Sequence, residues 1–537
     1  MGDLATLFSP DRVAVVGASE REGSVGWAVT RNLVDAFAGE VFPVNPSAST
    51  VLGLECAENV ADVTPIDVAV IAVPPDVAVE EIRQAAEAGV TNVVVITAGF
   101  GEAGSEGAKR ERELVAVAEE YDLNLVGPNS LGIMSTGVGL NATFAPTTPD
   151  PGHISFMSQS GAFVTAVLDW AADRDLGFKD VVSLGNKAVL DEGDFAREWG
   201  EDPETRVILG YLEDVVDGRA FMETAREVTR ETPMVVVKSG RTEAGASAAA
   251  SHTGAMAGSD EAYDAGLAQS GVIRVETVQE LFDAASVLAG QPLPDSESVA
   301  IVSNAGGPGV MTTDAVGDSS VALADFADDT IDALTEALPD GANVFNPVDI
   351  IGDATVDRFE AALDIVLADP NVGMAVTVAC PTATLSFDDL AAVIADRQAE
   401  HGTPLVATLM GGTSTRTAAA TLSDAGIPTY FDPARAVSSL DTLAEYRRIR
   451  DHEYVEPTRF DVATDRARSV LETAARRGDS RVGVEAMGLL DAYDIPTPRG
   501  EIVTDLTDAE RVAADIGGDV VMKIVSPDIL HKSDIGG

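Results

Sequence analysis

The sequence predicts an α/β protein built from several parallel sheets. Short runs of β-branched residues alternate with glycine-containing turns and with alanine-rich amphipathic segments, a pattern typical of repeated strand–turn–helix units. At 537 residues the chain is long enough for three or four domains. Apolar residues make up 45% and charged residues 23% of the chain, which excludes a protein that is disordered throughout.

We expect a first domain over residues 1–140. It opens with a predicted strand at Arg12–Val16, a Gly17-Ala18-Ser19 turn and a helix over Gly26–Phe37. The further predicted strands of this domain are Val41–Val44, Val68–Val73, Val93–Thr97 and Leu123–Val126. Because helical segments separate them, parallel pairing is expected.

Two more domains are predicted over 141–290 and 296–450, separated by the proline- and serine-containing stretch 291–298. Their predicted strands include His153–Met157, Val207–Tyr211, Met234–Lys238 and Val299–Ser303. An internal repeat relates the two domains, since Ile154–Val164 aligns in pattern with Ala300–Val310. We therefore expect two similar α/β units packed as a pseudo-symmetric pair.

The rest of the chain is predicted to hold a charged linker over 451–480 and the opening of a further domain over 481–537. A helix is expected at Glu485–Tyr493 and a strand at Val520–Val525. Because so short a domain would be marginally stable alone, the sequence predicts an unfinished domain here.

The charge balance is unusual, with 35 basic and 88 acidic residues giving a net charge of −53. A surface this acidic repels nucleic acid and anionic membranes, so neither is expected as a partner. Only six of the basic residues are lysine. We interpret this composition as halophilic, since salt screens the self-repulsion of such a surface. The alternative is an acidic protein adapted to ordinary salt.

Cysteine usage and the N-terminus favour a cytoplasmic protein. Cys56 and Cys380 form neither a CxxC motif nor a disulfide framework, as is typical of a reducing compartment. Met1–Pro10 lacks the pattern of a signal peptide, and no apolar run reaches the roughly 18 residues of a membrane span. Both cysteines are interpreted as small apolar core residues rather than nucleophiles.

Three glycine-containing turns stand between a predicted strand and a predicted helix, where free N–H groups and the helix dipole favour an anion. The first, at Gly17, is not a GxGxxG fingerprint, and the next strand ends at Asn45-Pro46 rather than at an acidic residue. NAD is therefore disfavoured, and a different adenine nucleotide ligand is favoured. The other two turns are Ser158–Ala162 and Ser303–Gly309. Their recurrence favours phosphate binding, although each alone is equally explained as a structural turn.

His252 lies within residues 245–258, a segment with almost no large side chains. An imidazole on such a segment can move and can accept a phosphoryl group, whereas the alternative is a surface histidine without a role. A phosphohistidine needs a carboxylate on its other ring nitrogen, and either Glu213 or Asp214 can supply one. Zinc is disfavoured because no second His or Cys lies at ligand spacing.

With these residues assembled, the whole chain resembles the ADP-forming acyl-CoA synthetases, relatives of succinyl-CoA synthetase. The motifs that carry the resemblance are Arg12–Ser19, Phe42–Pro46, Gly127–Gly132, Ser158–Gly161, Tyr211–Glu213, Ser251–Gly254, Asn304–Gly309, Asn346–Ile350, Ile495–Pro498 and Lys523–Gly537. The resemblance implies a CoA-binding Rossmann-like domain, two flavodoxin-like succinyl-CoA ligase domains and the start of an ATP-grasp domain.

The resemblance also implies a reaction, the reversible conversion of acyl-CoA (acetyl-CoA is expected), ADP and phosphate to a carboxylic acid, CoA and ATP. Phosphate attacks the thioester, the resulting acyl phosphate phosphorylates His252, and the phosphoryl group passes to ADP with Mg²⁺ present. By the same matching, Glu213 orients His252, and His531 is a second phosphohistidine that relays to ADP.

Binding residues follow from the same resemblance. Lys523 is expected at the nucleotide phosphates. Residues expected to bind phosphate are Ser160, Gly161, Asn304, Gly306 and Gly307. Residues expected to contact CoA are Gly17, Ala18, Ser19, Asn45, Pro46, Val73, Pro74 and Asn129.

Three departures from the family pattern matter. Ser47 stands where a basic residue often follows the Asn-Pro turn, and Ser130 stands where a cysteine is frequent. The sequence ends at Gly537, before the remainder of an ATP-grasp fold, so the Mg²⁺ ligands are expected outside this chain. We expect a homo-oligomer or a partner that supplies the missing part. The alternative functions are a CoA-binding regulatory module and a protein acyltransferase-type relative without full ligase activity.

Overall fold

The computed structural model describes residues 4–172, 174, 176–242, 244–245, 259–455, 460–476, 486–498 and 500–523. The chain divides into two compact units, Met1–His452 and Glu453–Gly537. The first unit contains three sheets in which most strands run parallel, which confirms the predicted α/β class.

The first sheet has five parallel strands in the order β2-β1-β5-β6-β7. Its main strands are β1 (Arg12–Val16), β2 (Glu40–Val44), β5 (Val68–Ile71), β6 (Asn92–Val95) and β7 (Asn124–Val126), and a small hairpin adds β3 (Thr50–Val51) and β4 (Leu54–Glu55). The helices are α1 (Ala5–Phe8), α2 (Val25–Ala36), α3 (Pro75–Glu87) and α4 (Ser105–Tyr121). Each predicted strand of this region is confirmed within two residues at either end, because its β-branched side chains are buried on both faces of a parallel sheet.

The second sheet has seven strands in the order β14-β13-β12-β10-β11-β8-β9. Its strands are β8 (Gly132–Ser135), β9 (Leu140–Thr143), β10 (Pro151–Ser158), β11 (Phe178–Ser183), β12 (Val207–Leu212), β13 (Met234–Lys238) and β14 (Ile273–Val275). Its helices are α5 (Gly161–Ala172), α6 (Glu192–Gly200), α7 (Gly218–Val228), α8 (Asp260–Gln269) and α9 (Val278–Gly290).

The antiparallel strands β8 and β9 extend this second sheet by pairing β8 with β11. The chain therefore changes sheets between β7 and β8, whereas the sequence suggested a domain boundary near residue 140. Both strands are short, and only a single 3₁₀ turn at Thr136–Val138 separates them. The alternation of strands and α-helices that defined the domains in the sequence therefore does not reveal these strands.

The third sheet has the parallel order β16-β15-β18-β19-β20, and β17 also pairs with β15. Its strands are β15 (Ser298–Ser303), β16 (Ala322–Leu323), β17 (Val348–Asp349), β18 (Met374–Ala379), β19 (Leu405–Leu409) and β20 (Thr429–Tyr430). Its helices are α10 (Gly306–Gly317), α11 (Asp328–Ala337), α12 (Val356–Leu367), α13 (Phe387–His401), α14 (Arg416–Asp424) and α15 (Pro433–Asp451).

One apolar cluster joins the second and third sheets. It takes in Phe156 of β10, Val376 of β18 and Leu440 of α15, all of them fully buried. Helix α15 packs against both α9 and α10, so it closes the space between the two sheets. The second and third sheets are therefore held by shared core rather than by a flexible connection.

The described part of Glu453–Gly537 contains three helices, α16 (Thr464–Arg476), α17 (Ala486–Ala492) and α18 (Leu506–Ile516). Helix α17 falls where a helix was expected. Helix α16 lies within the stretch 451–480 that the sequence predicts as a linker, and Ala467 and Ala474, seven residues apart, are buried on it. The predicted strand Val520–Val525 is also not seen over 520–523, which are exposed without strand pairing.

Candidate functional site

The first cavity lies at the carboxyl ends of β1, β2 and β5 and measures about 520 Å³. Six of the residues predicted to contact CoA line it, namely Gly17, Ser19, Asn45, Pro46, Val73 and Pro74. Ala18 is buried behind this wall, where its carbonyl oxygen accepts a hydrogen bond of 2.8 Å from Asn45 Nδ2. The turn after β1 and the turn after β2 are therefore joined directly.

The turn at Gly17 requires glycine for two reasons. Gly17 has φ +96°, and a Cβ there would lie 2.6 Å from the Ala72 carbonyl oxygen. A Cβ on Gly26, in the first turn of α2, would lie 2.0 Å from the Gly17 carbonyl oxygen. Helix α2 therefore begins in direct contact with the turn, and Ser24 caps it by accepting a hydrogen bond from the Trp27 amide.

A second cavity of about 730 Å³ adjoins the first, and the two share Val25, Ala72 and Val73 as walls. It is lined by Asn129 on the first-domain side and by Ser160 and Gly161 on the other. Its apolar walls include Ile96, Leu131 and Phe144. The two cavities thus lie side by side between the turn after β1 and the turn that precedes α5.

The turn before α5 is held by its own hydroxyl groups. Ser158 Oγ donates to the Ser160 carbonyl oxygen (2.9 Å) and accepts from the Ser160 amide (3.1 Å). Ser160 Oγ accepts from the Phe163 amide at 3.3 Å. The N-terminus of α5 at Gly161 faces the second cavity, and it offers the partial positive charge that attracts an anion.

The turn before α10 has the same internal bonding. Ser303 Oγ donates to the Ala305 carbonyl oxygen (2.9 Å) and accepts from the Ala305 amide (3.1 Å). Ser158 and Ser303 therefore correspond, as do Gly161 and Gly306, at which α5 and α10 begin. The sequence alignment of the repeat is wrong by one residue, because glycine-rich turns align equally well in either register. Gly306 and Gly307 are exposed.

Gln159 and Asn304 follow these serines and play matching parts. Asn304 Oδ1 accepts from the Cys380 amide at 2.8 Å, and its Nδ2 donates to the Cys380 carbonyl oxygen at 3.0 Å. Asn304 is buried, so its side chain supports the turn from within, and phosphate contact at this position stays a prediction.

Cys56 and Cys380 are half-buried free thiols, and burial raises the pKa of each.

Glu213 and Asp214 follow β12, and Gln159 ties both to the turn before α5. Gln159 Oε1 accepts from the backbone amides of Glu213 and Asp214, and Gln159 Nε2 donates to Asp214 Oδ1 at 2.6 Å. Asp214 Oδ1 also lies 2.7 Å from Lys187 Nζ. Of the two carboxylates that the sequence left open, Asp214 is thus committed to an internal ion pair, which favours Glu213 as the orienting group.

The predicted His252 and His531 lie outside the described residues. Lys523 is exposed and belongs to the Glu453–Gly537 unit. Sequence reasoning missed Lys187 and Glu192 and gave Gln159 no separate role. A usable signal existed for Lys187, since a lysine is rare in this chain. In the structure it stands in the turn between β11 and α6.

No metal centre is found in the described ranges, which hold no group of three or more His, Cys, Asp or Glu side chains placed to bind an ion. Across the same residues no helix has both the length and the apolar character needed to span a bilayer.

Four family models match the chain. They are described as a CoA binding domain (residues 11–136), a succinyl-CoA ligase like flavodoxin domain (151–288), a ligase-CoA domain (299–455) and an ATP-grasp domain (473–537).

Similar proteins cover most of the chain. An ADP-forming acetate–CoA ligase I of Archaeoglobus fulgidus is 44% identical over 536 residues, which are 99% of this chain and 77% of that protein. The alpha subunit of an ADP-forming acetate–CoA ligase I of Pyrococcus furiosus is 38% identical over 83% of this chain and 98% of the subunit.

The fold agrees with these similarities. The structure of a dinucleotide-forming acetyl-coenzyme A synthetase 1 from Ca. Korarchaeum cryptofilum, in complex with phosphate and ADP, matches with a TM-score of 0.80 and 38% identity. The match covers 84% of this chain and 98% of that one.

Proposed function

This chain belongs to the family of ADP-forming acetate–CoA ligases, and from that premise we propose that it interconverts acyl-CoA, ADP and phosphate with a carboxylic acid, CoA and ATP. We propose acetyl as the acyl group. One observation carries the proposal: adjoining cavities lead from the glycine turn after β1 to the serine–glycine turn before α5.

CoA occupies the first cavity in this proposal. The N-terminal turn of α2, closed against Gly17, provides backbone N–H groups for a phosphate of CoA. Asn45 and Pro46 form the facing wall, and the pantetheine arm passes Val73 into the second cavity. Because the second cavity has an apolar side, the acyl group lies against Phe144 and Leu131 while the thioester approaches the turn at Ser160.

Inorganic phosphate binds at Ser160 and Gly161, where the N-terminus of α5 compensates part of its charge. A phosphate oxygen attacks the thioester carbonyl carbon, a C–O bond forms, and the C–S bond breaks. The sulfur leaves as the CoA thiolate and takes up a proton, and the product is an acyl phosphate. This step needs positioning and charge compensation more than covalent assistance from the protein.

His252 accepts the phosphoryl group in the next step. A nitrogen of its imidazole attacks phosphorus, a P–N bond forms, and the carboxylate leaves with the bridging oxygen. The Glu213 amide donates to Gln159, which places Glu213 beside the phosphate turn. The Glu213 carboxylate accepts a hydrogen bond from the protonated ring nitrogen of His252 and so fixes the tautomer of the imidazole. His531 and Lys523 serve the later transfer to ADP.

Transfer to ADP takes place on an ATP-grasp domain, of which residues 473–537 match a part. The similar Pyrococcus furiosus protein is the alpha subunit of such an enzyme, so the domains of these ligases can be divided between subunits. We propose that this chain works either with a partner subunit of that kind or as a homo-oligomer. Mg²⁺ would compensate phosphate charge there, but no described residue is assigned to it. We place the reaction in the cytoplasm.

The test is label transfer from acetyl-CoA and ³²P-phosphate to the protein. The wild type is expected to take up acid-labile, base-stable label, as a phosphohistidine does, and His252→Ala is expected to take up none. A His153→Ala variant is the matched control, since His153 is exposed and its Nδ1 lies 3.0 Å from the Glu204 carbonyl oxygen. Label retained by His252→Ala would place the phosphoryl group elsewhere.

A further inference from the structure

The short segment 213–216 carries Glu213 and is held by side chains from two other parts of the second sheet. Gln159, from the phosphate turn, accepts hydrogen bonds from the Glu213 and Asp214 amides. Glu192, from the first turn of α6, accepts a hydrogen bond of 3.0 Å from the Val216 amide through its Oε1. Backbone amides along this segment are therefore bound by carboxylate or amide side chains rather than by a neighbouring strand.

Lys187 lies at the centre of these contacts. Its Nζ is 2.9 Å from Glu192 Oε2, 2.7 Å from Asp214 Oδ1 and 3.1 Å from the Asp214 carbonyl oxygen. The Lys187 side chain is 3% exposed and the Glu192 side chain 1% exposed. An ammonium group has three protons to donate, so all of them have partners here.

The backbone around Lys187 is bound to residues at and next to the second cavity. The Leu184 amide donates to the Ser158 carbonyl oxygen at 2.8 Å, and the Asn186 amide donates to the Pro128 carbonyl oxygen at 2.9 Å. Asn186 Oδ1 in turn accepts from Asn129 Nδ2 at 3.2 Å. Lys187 itself has φ +55°, an uncommon conformation for a non-glycine residue that often marks a functional site.

We propose that Lys187 is a positioning residue for the phosphoryl transfer, which it serves by holding segment 213–216, and thus Glu213, in a fixed place against the phosphate turn. The inference rests on the proposed function. It acts through Asp214 and Glu192, because the lysine binds both carboxylates and the Asp214 carbonyl oxygen, and Glu192 in turn accepts from the Val216 amide.

The charges explain why a lysine is needed at this point. Burial alone would raise the pKa of Asp214, but Lys187 and Gln159 outweigh it and the pKa of Asp214 is lowered, so this carboxylate stays ionised. The pKa of Lys187 is raised by the two carboxylates against the opposing effect of burial. Without the lysine, the buried Glu192 carboxylate and the partly exposed Asp214 carboxylate would lose the cation that they share, and segment 213–216 would move outward toward water.

Three variants separate positioning from general stability. Lys187→Met removes the charge, and Lys187→Met/Glu192→Gln also removes one buried carboxylate, so that the double variant regains thermal stability. Lys179→Met is the matched control, since Lys179 on β11 of the same sheet also pairs with two carboxylates, Asp202 and Glu204, away from the phosphate turn.

The first measurement is ³²P labelling from acetyl-CoA and phosphate. We expect Lys187→Met to slow labelling about 10- to 100-fold while CoA affinity changes less than about twofold, because displacement of a catalytic group by about 1 Å has effects of this size. The double variant is expected to regain thermal stability but not the labelling rate, and Lys179→Met to label like the wild type. A double variant that regains both would overturn the proposal, as would a Lys187→Met protein that labels normally.

The second measurement is hydrogen–deuterium exchange of the peptide spanning 213–217, which needs no activity. We expect this peptide to exchange about tenfold faster in Lys187→Met than in the wild type, and unchanged exchange would contradict the positioning role. If the wild type takes up no label, the proposed function fails, whereas the exchange result still decides whether Lys187 holds the segment.

Discussion

Gln159 and Asn304 occupy equivalent places at the carboxyl ends of two different sheets and bind equivalent backbone groups. Gln159 accepts a hydrogen bond from the Glu213 amide, two residues beyond Tyr211, which is the strand partner of Ser158. Asn304 accepts one from the Cys380 amide, two residues beyond Val378, which is the strand partner of Ser303. The internal repeat therefore includes the way in which each turn is braced against the next strand. In this repeat, Glu213 after β12 of the second sheet is equivalent in position to Cys380 after β18 of the third sheet.

This relationship predicts that Gln159→Ala and Asn304→Ala lose similar stability but differ in activity. Each substitution leaves backbone amides without their acceptors, which costs about 1–3 kcal/mol in the free energy of unfolding. Gln159→Ala should in addition reduce ³²P labelling about 10- to 100-fold, because Glu213 is displaced with its amide.

Urea denaturation and the labelling rate, measured on both variants, check this prediction. The decisive quantity is the labelling rate of Gln159→Ala relative to Asn304→Ala. If the two variants label equally, the contact between Gln159 and Glu213 has no bearing on the transfer.

The first cavity predicts a strong effect of Gly26→Ala on CoA binding. A Cβ at this position would lie 2.0 Å from the Gly17 carbonyl oxygen, so the N-terminus of α2 must move away from the turn. We expect CoA affinity, measured by isothermal titration, to fall at least about tenfold, because N–H groups at a helix N-terminus bind phosphate only in a defined position. Gly137→Ala is the control, since a Cβ there meets nothing within 4 Å. Equal affinity in both variants would exclude this turn from the CoA site.

Strand positions were predictable because burial on both faces leaves an uninterrupted apolar run. Met234–Lys238 was predicted with the bounds that β13 has in the structure, and the predicted Arg12–Val16 is β1. The register of the repeat was not predictable, because Gly306 and Gly307 are equivalent in a sequence pattern while only the serine hydroxyl contacts distinguish them.

The support of the candidate site was equally hidden from the sequence. Lys187, Glu192 and Asp214 are separated by up to 27 positions, and only the folded second sheet brings both carboxylates within 3 Å of Lys187 Nζ. Spacing rules apply to residues on one helix or strand, whereas these three stand on a turn, a helix start and a strand end. The sequence could therefore name Glu213 and Asp214 but not say which of them is ion-paired with Lys187.

A buried carboxyl group away from the site predicts a pH dependence of stability. Asp180 on β11 is 3% exposed, and burial raises the pKa of its carboxyl against the opposing effects of Ser135 and Lys179. Folded protein therefore binds a proton here more readily than unfolded protein does. The wild type should lose stability relative to Asp180→Asn as pH rises from about 4, the unfolded pKa, through the raised folded pKa.

Urea denaturation at fixed salt between about pH 4.5 and 8 measures the effect, which amounts to about 1.4 kcal/mol for each unit of pKa shift. Asp169→Asn, an exposed position on α5, is the control and should stay within about 0.5 kcal/mol of the wild type at every pH. A difference between Asp180→Asn and wild type that does not change with pH would contradict the assignment.

The net charge of −53 predicts that stability depends on salt through screening. The screening length is about 10 Å at 0.1 M and about 3 Å at 1 M, so repulsion among surface carboxylates weakens substantially over this range. We expect the melting temperature to rise sharply between about 0.1 and 1 M KCl and to level off above. A neutral osmolyte such as sucrose is the control, because it stabilises through exclusion from the surface and should give a gradual rise without levelling. If the melting temperature is the same at 0.1 M and 1 M KCl, the folded chain is stable without screening of its surface charge. The interpretation of the composition as an adaptation to salt would then be wrong.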